Sequence, residues 1–300
     1  MLIAQHGIFN SQAYPFVPVS WTQIPTSSFG ETNIYSVTFG NLLYLAAGNA
    51  GKLATAPDGI TWTQRTSSFG TSPIYATTFG AGLYTAGGSI GKLATSSNGV
   101  TWTQRSSAFG SSVILGLHYA PSIGAFIAVG GDGKLGTSID GVNWTLRTSS
   151  FGTSFIRGIT SVSGTLVAVG DEGKLATSTN GITWTQRTSS FETTRIQGVV
   201  PAGDKVIAFG AAGKLATSSN GITWAQISSS FGSSTINAVS FGGDGVYAAA
   251  GADGKIATSF DGLSWVQRTS SFGSSSVNGI HMGASRSVAV GNNGKIAISI

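Results

Sequence analysis

The chain has 300 residues, with 44 Gly, 7 Pro, 41% apolar residues and only 9% charged ones, a balance that favours turns and strands over helices and still supplies a core. It contains no Cys, which excludes disulfides and thiolate chemistry, and no apolar run approaches the roughly eighteen residues of a membrane helix, so no membrane insertion is expected. Eight Lys and eight Arg against eight Asp and three Glu give a formal charge of +5, a weak bias toward anionic partners and no specific signal for nucleic acid.

At the N-terminus, Met1 to Ala13 carries no Lys or Arg and no apolar stretch leading to a small-residue cleavage site. The reading is therefore no signal peptide and synthesis in the cytosol. Residues 1–15 read as an extension, and 16–26, which contains Val19-Ser20-Trp21-Thr22-Gln23, reads as one strand standing ahead of the first full repeat.

From 27 to 300 the text repeats about every 40 residues. Trp recurs at Trp21, Trp62, Trp102, Trp144, Trp184, Trp224 and Trp265. A Gly-Lys pair recurs at Lys52, Lys92, Lys134, Lys174, Lys214, Lys255 and Lys295, and a third series runs through Phe29, Phe69, Phe109, Phe151, Phe191, Phe231 and Phe272. Each series counts seven units.

Within a unit four short runs are bounded by turn residues, for example Ile74 to Phe79, Leu83 to Gly87, Lys92 to Ser96 and Thr101 to Arg105. Gly-x-x-Gly between the second and third runs suits a tight two-residue hairpin, and an Asn-Gly or Asp-Gly pair separates the third from the fourth. Second runs such as Phe126-Ile127-Ala128-Val129 are apolar at consecutive positions, so both faces must be covered. Four-stranded units stacked face to face make an all-β, seven-bladed β-propeller with antiparallel blades in one domain spanning 1–300. The chain ends on a third-run text, Lys295 to Ile300, so the N-terminal strand is expected to complete the last blade and close the ring.

The segments Ser138-Ile139-Asp140-Gly141-Val142-Asn143-Trp144 and Ser259-Phe260-Asp261-Gly262-Leu263-Ser264-Trp265 resemble the Asp-box, or bacterial-neuraminidase-type, repeat, with six copies between 53 and 269. One residue of the family pattern is missing between Asp and Gly, and Asn stands for Asp at Asn98, Asn180 and Asn220. The resemblance implies a propeller, as in sialidases, sortilin-like receptors, photosystem assembly factors and phage tail or virion proteins. It says little about function. In the box the Asp or Asn is expected to bond turn amides and the Trp to pack between sheets, a structural role.

A sialidase-type site, as the resemblance implies it, takes three arginines, a Tyr with a Glu partner and an acidic donor. Here only Arg157, Arg195 and Arg286 stand outside the repeat, and Glu31, Glu172 and Glu192 are the sole glutamates. His6, His118 and His281 have no metal-ligand spacing, Asp132, Asp171 and Asp253 read as solvated turn residues, and the Gly-Lys pairs lack the Ser or Thr of a phosphate loop. No catalytic set, metal or cofactor is expected.

The recurring lysines and Arg65, Arg105, Arg147, Arg187 and Arg268 form a basic belt, read first as solubilising charge and second as an anion-binding ring. Positions that escape the repeat carry more information. The residue after the first Ile or Val of each unit runs Tyr35, Tyr75, Leu115, Arg157, Gln197, Asn237, Asn278, and the residue before it includes Arg195. These begin the innermost strands, so Tyr35, Tyr75, Arg157, Arg195, Gln197, Asn237 and Asn278 are the candidate ligand-binding residues at a channel mouth. The expected function is a non-catalytic recognition module, secreted or virion-associated, binding cell-surface glycans multivalently. The alternatives are a structural adaptor in a larger assembly, with a protein partner, and a glycosidase with an unfamiliar site involving Glu192 or Arg195.

Overall fold

Second runs that are apolar on both faces need sheets stacked against sheets. The computed structural model, which describes residues 20–243, 245–283 and 286–299, provides this with seven four-stranded antiparallel sheets. The innermost strands of neighbouring blades pack on one another all the way round, the seventh against the first. From the axis outward, blade one is Ile34–Gly40, Leu43–Gly48, Leu53–Ala56 and Thr63–Arg65. The last blade is Val277–His281, Ser287–Gly291, Ile296–Ser299 and, from the other end of the chain, Thr22–Gln23. Thr22 pairs with Ile298 and Gln23 with Ala297, and the Ile24 amide donates to Ile296 O at 3.0 Å. The closing strand is thus shorter than the 16–26 read from sequence. Residues 1–15 and 16–19 lie outside the described residues.

The Gly-x-x-Gly turns explain their two glycines separately. In blade one the central turn residues are Ala50 and Gly51, at φ 52° and 64°, and the Lys52 amide returns to Asn49 O at 3.1 Å, the mirror-image turn that matches strand twist. The first glycine, Gly48, is extended, but a Cβ there would lie 2.1 Å from Asn33 O, so only glycine lets the strand end approach the incoming chain. All seven units share this turn.

The repeated side chains bond to the scaffold, between blades and within them. Each Phe of the inter-blade connection is at most 1% exposed. Beside it, all seven repeated lysines donate Nζ to that Phe's carbonyl, at 2.7 to 3.2 Å. The five repeated arginines donate Nε to a third-strand Thr hydroxyl of their own blade, for example Arg65 to Thr55 Oγ1 at 2.9 Å. The belt's cations thus each satisfy a backbone or hydroxyl acceptor of the scaffold.

The Asp/Asn-Gly turns work as expected. Asp140 Oδ1 accepts the amides of Val142 and Asn143 at 2.8 Å, and Asn98 Oδ1 accepts those of Val100 and Thr101 at 2.9 Å. Six tryptophans donate Nε1 to their own turn glycine, as Trp102 does to Gly99 O at 3.1 Å. Trp21, Trp62, Trp102 and Trp184 are buried, whereas Trp144, Trp224 and Trp265 are half-buried. Among the described residues no helix is long and apolar enough to cross a membrane.

Candidate functional site

The variable residues sit where each inner strand bulges. In all seven blades the register slips between the first and third residue of that strand, as between Ile34 and Ser36, so the second residue is the extra one. A bulge re-aims the side chain it carries. Here it delivers Tyr35, Tyr75, Leu115, Arg157, Gln197, Asn237 and Asn278 to the wall of one central cavity of about 620 Å³. Six of the seven candidate residues are thereby brought together. Arg195 is not: it is exposed on the rim, outside the cavity lining, with its carbonyl holding the Ala211 amide at 3.1 Å.

The mouth is chemically uneven. Tyr35 and Tyr75 face each other with ring centroids 5.2 Å apart. The Arg157 guanidinium grips both carboxylate oxygens of Asp171, at 2.5 and 3.1 Å, and lies 5.7 Å over the Phe155 ring. Asn237 Nδ2 donates to Val277 O at 3.0 Å, and Asn278 Nδ2 donates to Ile34 O at 2.8 Å and to Asn292 Oδ1 at 2.9 Å. Asn278 spends both amide donors on the neighbouring inner strand and the turn and Asn237 spends one on the neighbouring inner strand, and both keep their Oδ1 acceptors. Arg157 enters the site as half of an ion pair, so the mouth adds little net charge.

In sequence Asp171 reads as a solvated turn residue. In fact it orients the cavity's one guanidinium. Its signal in the sequence is a spacing of 14: Tyr75 and Ser89, Arg157 and Asp171, and Asn278 and Asn292 are polar pairs at that interval, each in contact. Where the turn residue is Ala211, the bulge residue is Gln197 and no such pair forms among the described residues.

Deeper along the channel, the fifth position of each inner strand contributes Thr38, Thr78, His118, Thr160, Val200, Ser240 and His281 to the same cavity. His118 Nε2 lies 2.9 Å from Ser161 Oγ, and His281 stacks on Phe39 at 5.6 Å. Burial pushes both imidazoles down to about 4, so both are neutral at pH 7. No cluster of three metal-ligating side chains occurs among the described residues.

The residues proposed for glycosidase chemistry are dispersed. Glu192 is 84% exposed and pairs with Lys214 at 3.3 Å. Arg157 stands at the start of an inner strand, while Arg286 donates to Asp58 O beside the opposite ends of the blades. Three arginines are therefore not assembled around one carboxylate.

No protein-family model matches the sequence, and no curated protein is similar to it in sequence. Solved structures are similar in fold. YCF48 from Cyanidioschyzon merolae is 19% identical with a TM-score of 0.71, covering 93% of this chain and 98% of that one. YCF48 bound to D1 peptide is also 19% identical, with a TM-score of 0.71 and coverage of 95% and 96%. Virginiamycin B lyase from Staphylococcus aureus is 13% identical with a TM-score of 0.80, covering 90% of this chain and 96% of that one. At such identities the likeness establishes the seven-bladed propeller and nothing finer, and the neighbours span a lyase and a peptide-bound propeller.

Proposed function

We propose that this propeller is a non-catalytic recognition module that takes a neutral, hydroxyl-rich ligand, a glycan, at the bulge-lined mouth of its channel. One observation carries the reading: on a scaffold whose repeated side chains are committed to internal bonds, the side chains that differ from blade to blade converge on one cavity. Two tyrosine rings offer apolar faces and hydroxyls, and the two Asn carbonyls and Gln197 offer acceptors for sugar hydroxyls. Because Asp171 neutralises Arg157, an anionic ligand gains little there. The setting suggested by the Asp-box-like turns is a secreted or virion-borne protein facing cell-surface glycans.

A second reading, an adaptor that holds a peptide segment at the same mouth, is favoured by the peptide-bound YCF48 structure. Glycan arrays that include bacterial surface polysaccharides, run beside peptide arrays, separate the two. Tyr35→Ala and Tyr75→Ala are expected to abolish glycan binding while Arg195→Ala retains it. Binding lost only on Arg195→Ala, or binding to peptides alone, refutes the glycan reading.

A further inference from the structure

Three of the chain's five Asn-Gly pairs, Asn98-Gly99, Asn180-Gly181 and Asn220-Gly221, stand in the turn between the third and outer strands of blades two, four and five. An Asn followed by Gly is chemically labile, because no side chain shields the glycine nitrogen. Once base removes its proton, that nitrogen attacks the Asn Cγ. The new N–Cγ bond closes a succinimide ring, the Cγ–Nδ2 bond breaks, and Nδ2 leaves as ammonia with a proton taken from water. Water then opens the ring at either carbonyl, giving Asp or isoaspartate. The turns bind the attacking group. Gly99 N–H donates to Ser96 Oγ at 2.8 Å, Gly181 N–H to Ser178 Oγ at 2.9 Å and Gly221 N–H to Ser218 Oγ at 2.8 Å. Each of these serines is at most 5% exposed, although the Asn beside it is open to water. The same hydroxyl donates to the Asn Oδ1, which also accepts the amides two and three residues on. Attack therefore has to break the glycine's bond and rearrange the three that fix the side chain.

We infer that Ser96, Ser178 and Ser218 are chemical guards, which hold the glycine amide and keep Asn98, Asn180 and Asn220 from converting to Asp and isoaspartate. The differences between blades support this. Blade one carries Ala56 in place of the serine, and there the turn residue is Asp58. An ionised carboxylate is a poor target for an amide nitrogen, and the amides of Thr61 and Ile60 hold the Asp58 carboxyl below its usual range, so that turn needs no guard. All three turns with the labile Asn keep the serine. What the guard preserves is the packing of the blade. Asp fits these turns, since Asp140 and Asp261 accept the same amides in blades three and six. Isoaspartate does not, because it routes the main chain through the side-chain carbon and adds a methylene ahead of the glycine. That shifts the Gly99, Gly181 and Gly221 carbonyls, which receive the indole N–H of Trp102, Trp184 and Trp224 at 3.0 to 3.2 Å.

Timed peptide mapping by mass spectrometry tests this on the full chain in warm, mildly alkaline buffer, reading amide-to-acid conversion at each Asn and separating Asp from isoaspartate by retention. In the parent, all three Asn are expected to convert at least about tenfold more slowly than in the guanidinium-unfolded chain. Ser96→Ala is expected to speed conversion of Asn98 by about tenfold, the rate equivalent of one lost hydrogen bond, while Asn180 and Asn220 keep the parent rate. Those two report that the variant is still folded, and Ala56 shows that alanine fits the position. Ser178→Ala is expected to move the effect to Asn180 alone. Parent rates equal to those of the unfolded chain, a Ser96→Ala rate at Asn98 equal to or below the parent's, or acceleration of all three Asn together overturns the proposal.

Discussion

The rim holds a bond that the repeat makes testable. Gln267 of the sixth outer strand donates Nε2 to Ser230 O at 2.9 Å and to Ser230 Oγ at 3.2 Å, reaching the connection that enters its blade. Five other units carry the same pair: Gln64 with Ser28, Gln104 with Ser68, Gln186 with Ser150, Gln226 with Ser190 and Gln23 with Ser271. The hydroxyls of those five serines are buried without a partner among the described residues. In the remaining unit both members change together, to Leu146 and Ala108. A buried hydroxyl left unpaired costs about 1–3 kcal/mol, so it is expected to find the Gln that stands opposite it.

The perturbation is the cycle Gln104→Leu, Ser68→Ala and the double variant, which recreates the pair found in blade three. Ala108 already adopts φ 63° at the Ser68 position, which has φ 63°, so Ser68→Ala adds no backbone strain. Gln104→Leu strands the Ser68 hydroxyl and should cost about 1–2 kcal/mol. Ser68→Ala should cost less, since the backbone carbonyl still accepts. The double variant should recover about 0.5–1 kcal/mol relative to the sum. Urea unfolding midpoints at unchanged slope measure all four corners. Additivity within about 0.3 kcal/mol would refute the clasp.

Three further outcomes follow from single features. Leu42 is 81% exposed at φ 60° in a turn where blade two has Gly82, so Leu42→Gly should stabilise the chain by about 1 kcal/mol, read as a higher urea midpoint; a lower midpoint contradicts it. His118 and His281 titrate near 4 when folded and near 6.5 when unfolded. Full stability is therefore present above pH 6.5 and falls, by up to about 3 kcal/mol per histidine, as pH drops toward 4. Replacing both with Thr, the residue at Thr38, Thr78 and Thr160, should flatten that dependence. Backbone amides hold the carboxyls of Asp58, Asp140 and Asp261 below the usual range, Asp261 at about 2. Their contribution is present above pH 4 and lost as pH falls through the folded values, so the triple Asp→Asn variant should lose less stability than the parent between pH 4 and pH 2, as thermal unfolding would show.

The architecture was legible because its signals are periodic. Trp, Phe and Lys each mark the unit, and a chain ending on a third strand has one place for an extra outer strand. The contacts of those same residues were not legible. Lys92 reads as surface charge because its acceptor, Phe69 O, is a backbone atom that every residue has. The bulges were hidden for a related reason: Tyr75 occupies an ordinary strand position in the text, and only the pairing of Ile74 with Gly88 and Ala76 with Gly87 exposes it as the extra residue. Arg195 and Arg157 look alike in sequence, two columns apart in the repeat. The strand begins at Ile196, which leaves Arg195 outside the sheet on the rim, while the bulge turns Arg157 onto the channel wall.

Seven near-equal blades would by themselves enclose a symmetric channel, and a symmetric site holds an asymmetric ligand in seven equivalent ways. The bulge position breaks that degeneracy, because its side chain differs from blade to blade and lines the channel. The aromatic pair stands on blades one and two, the ion pair on blade four, and the backbone-tethered amides on blades six and seven. A ligand that stacks on the tyrosines and hydrogen-bonds to the amides of the adjoining blades is fixed in one orientation. The inner strands can therefore diverge toward specificity while the rim stays repeated, and substitutions at Tyr35, Leu115 or Gln197 should cost less stability than substitutions at Arg157, Asn237 or Asn278, whose partners would be lost.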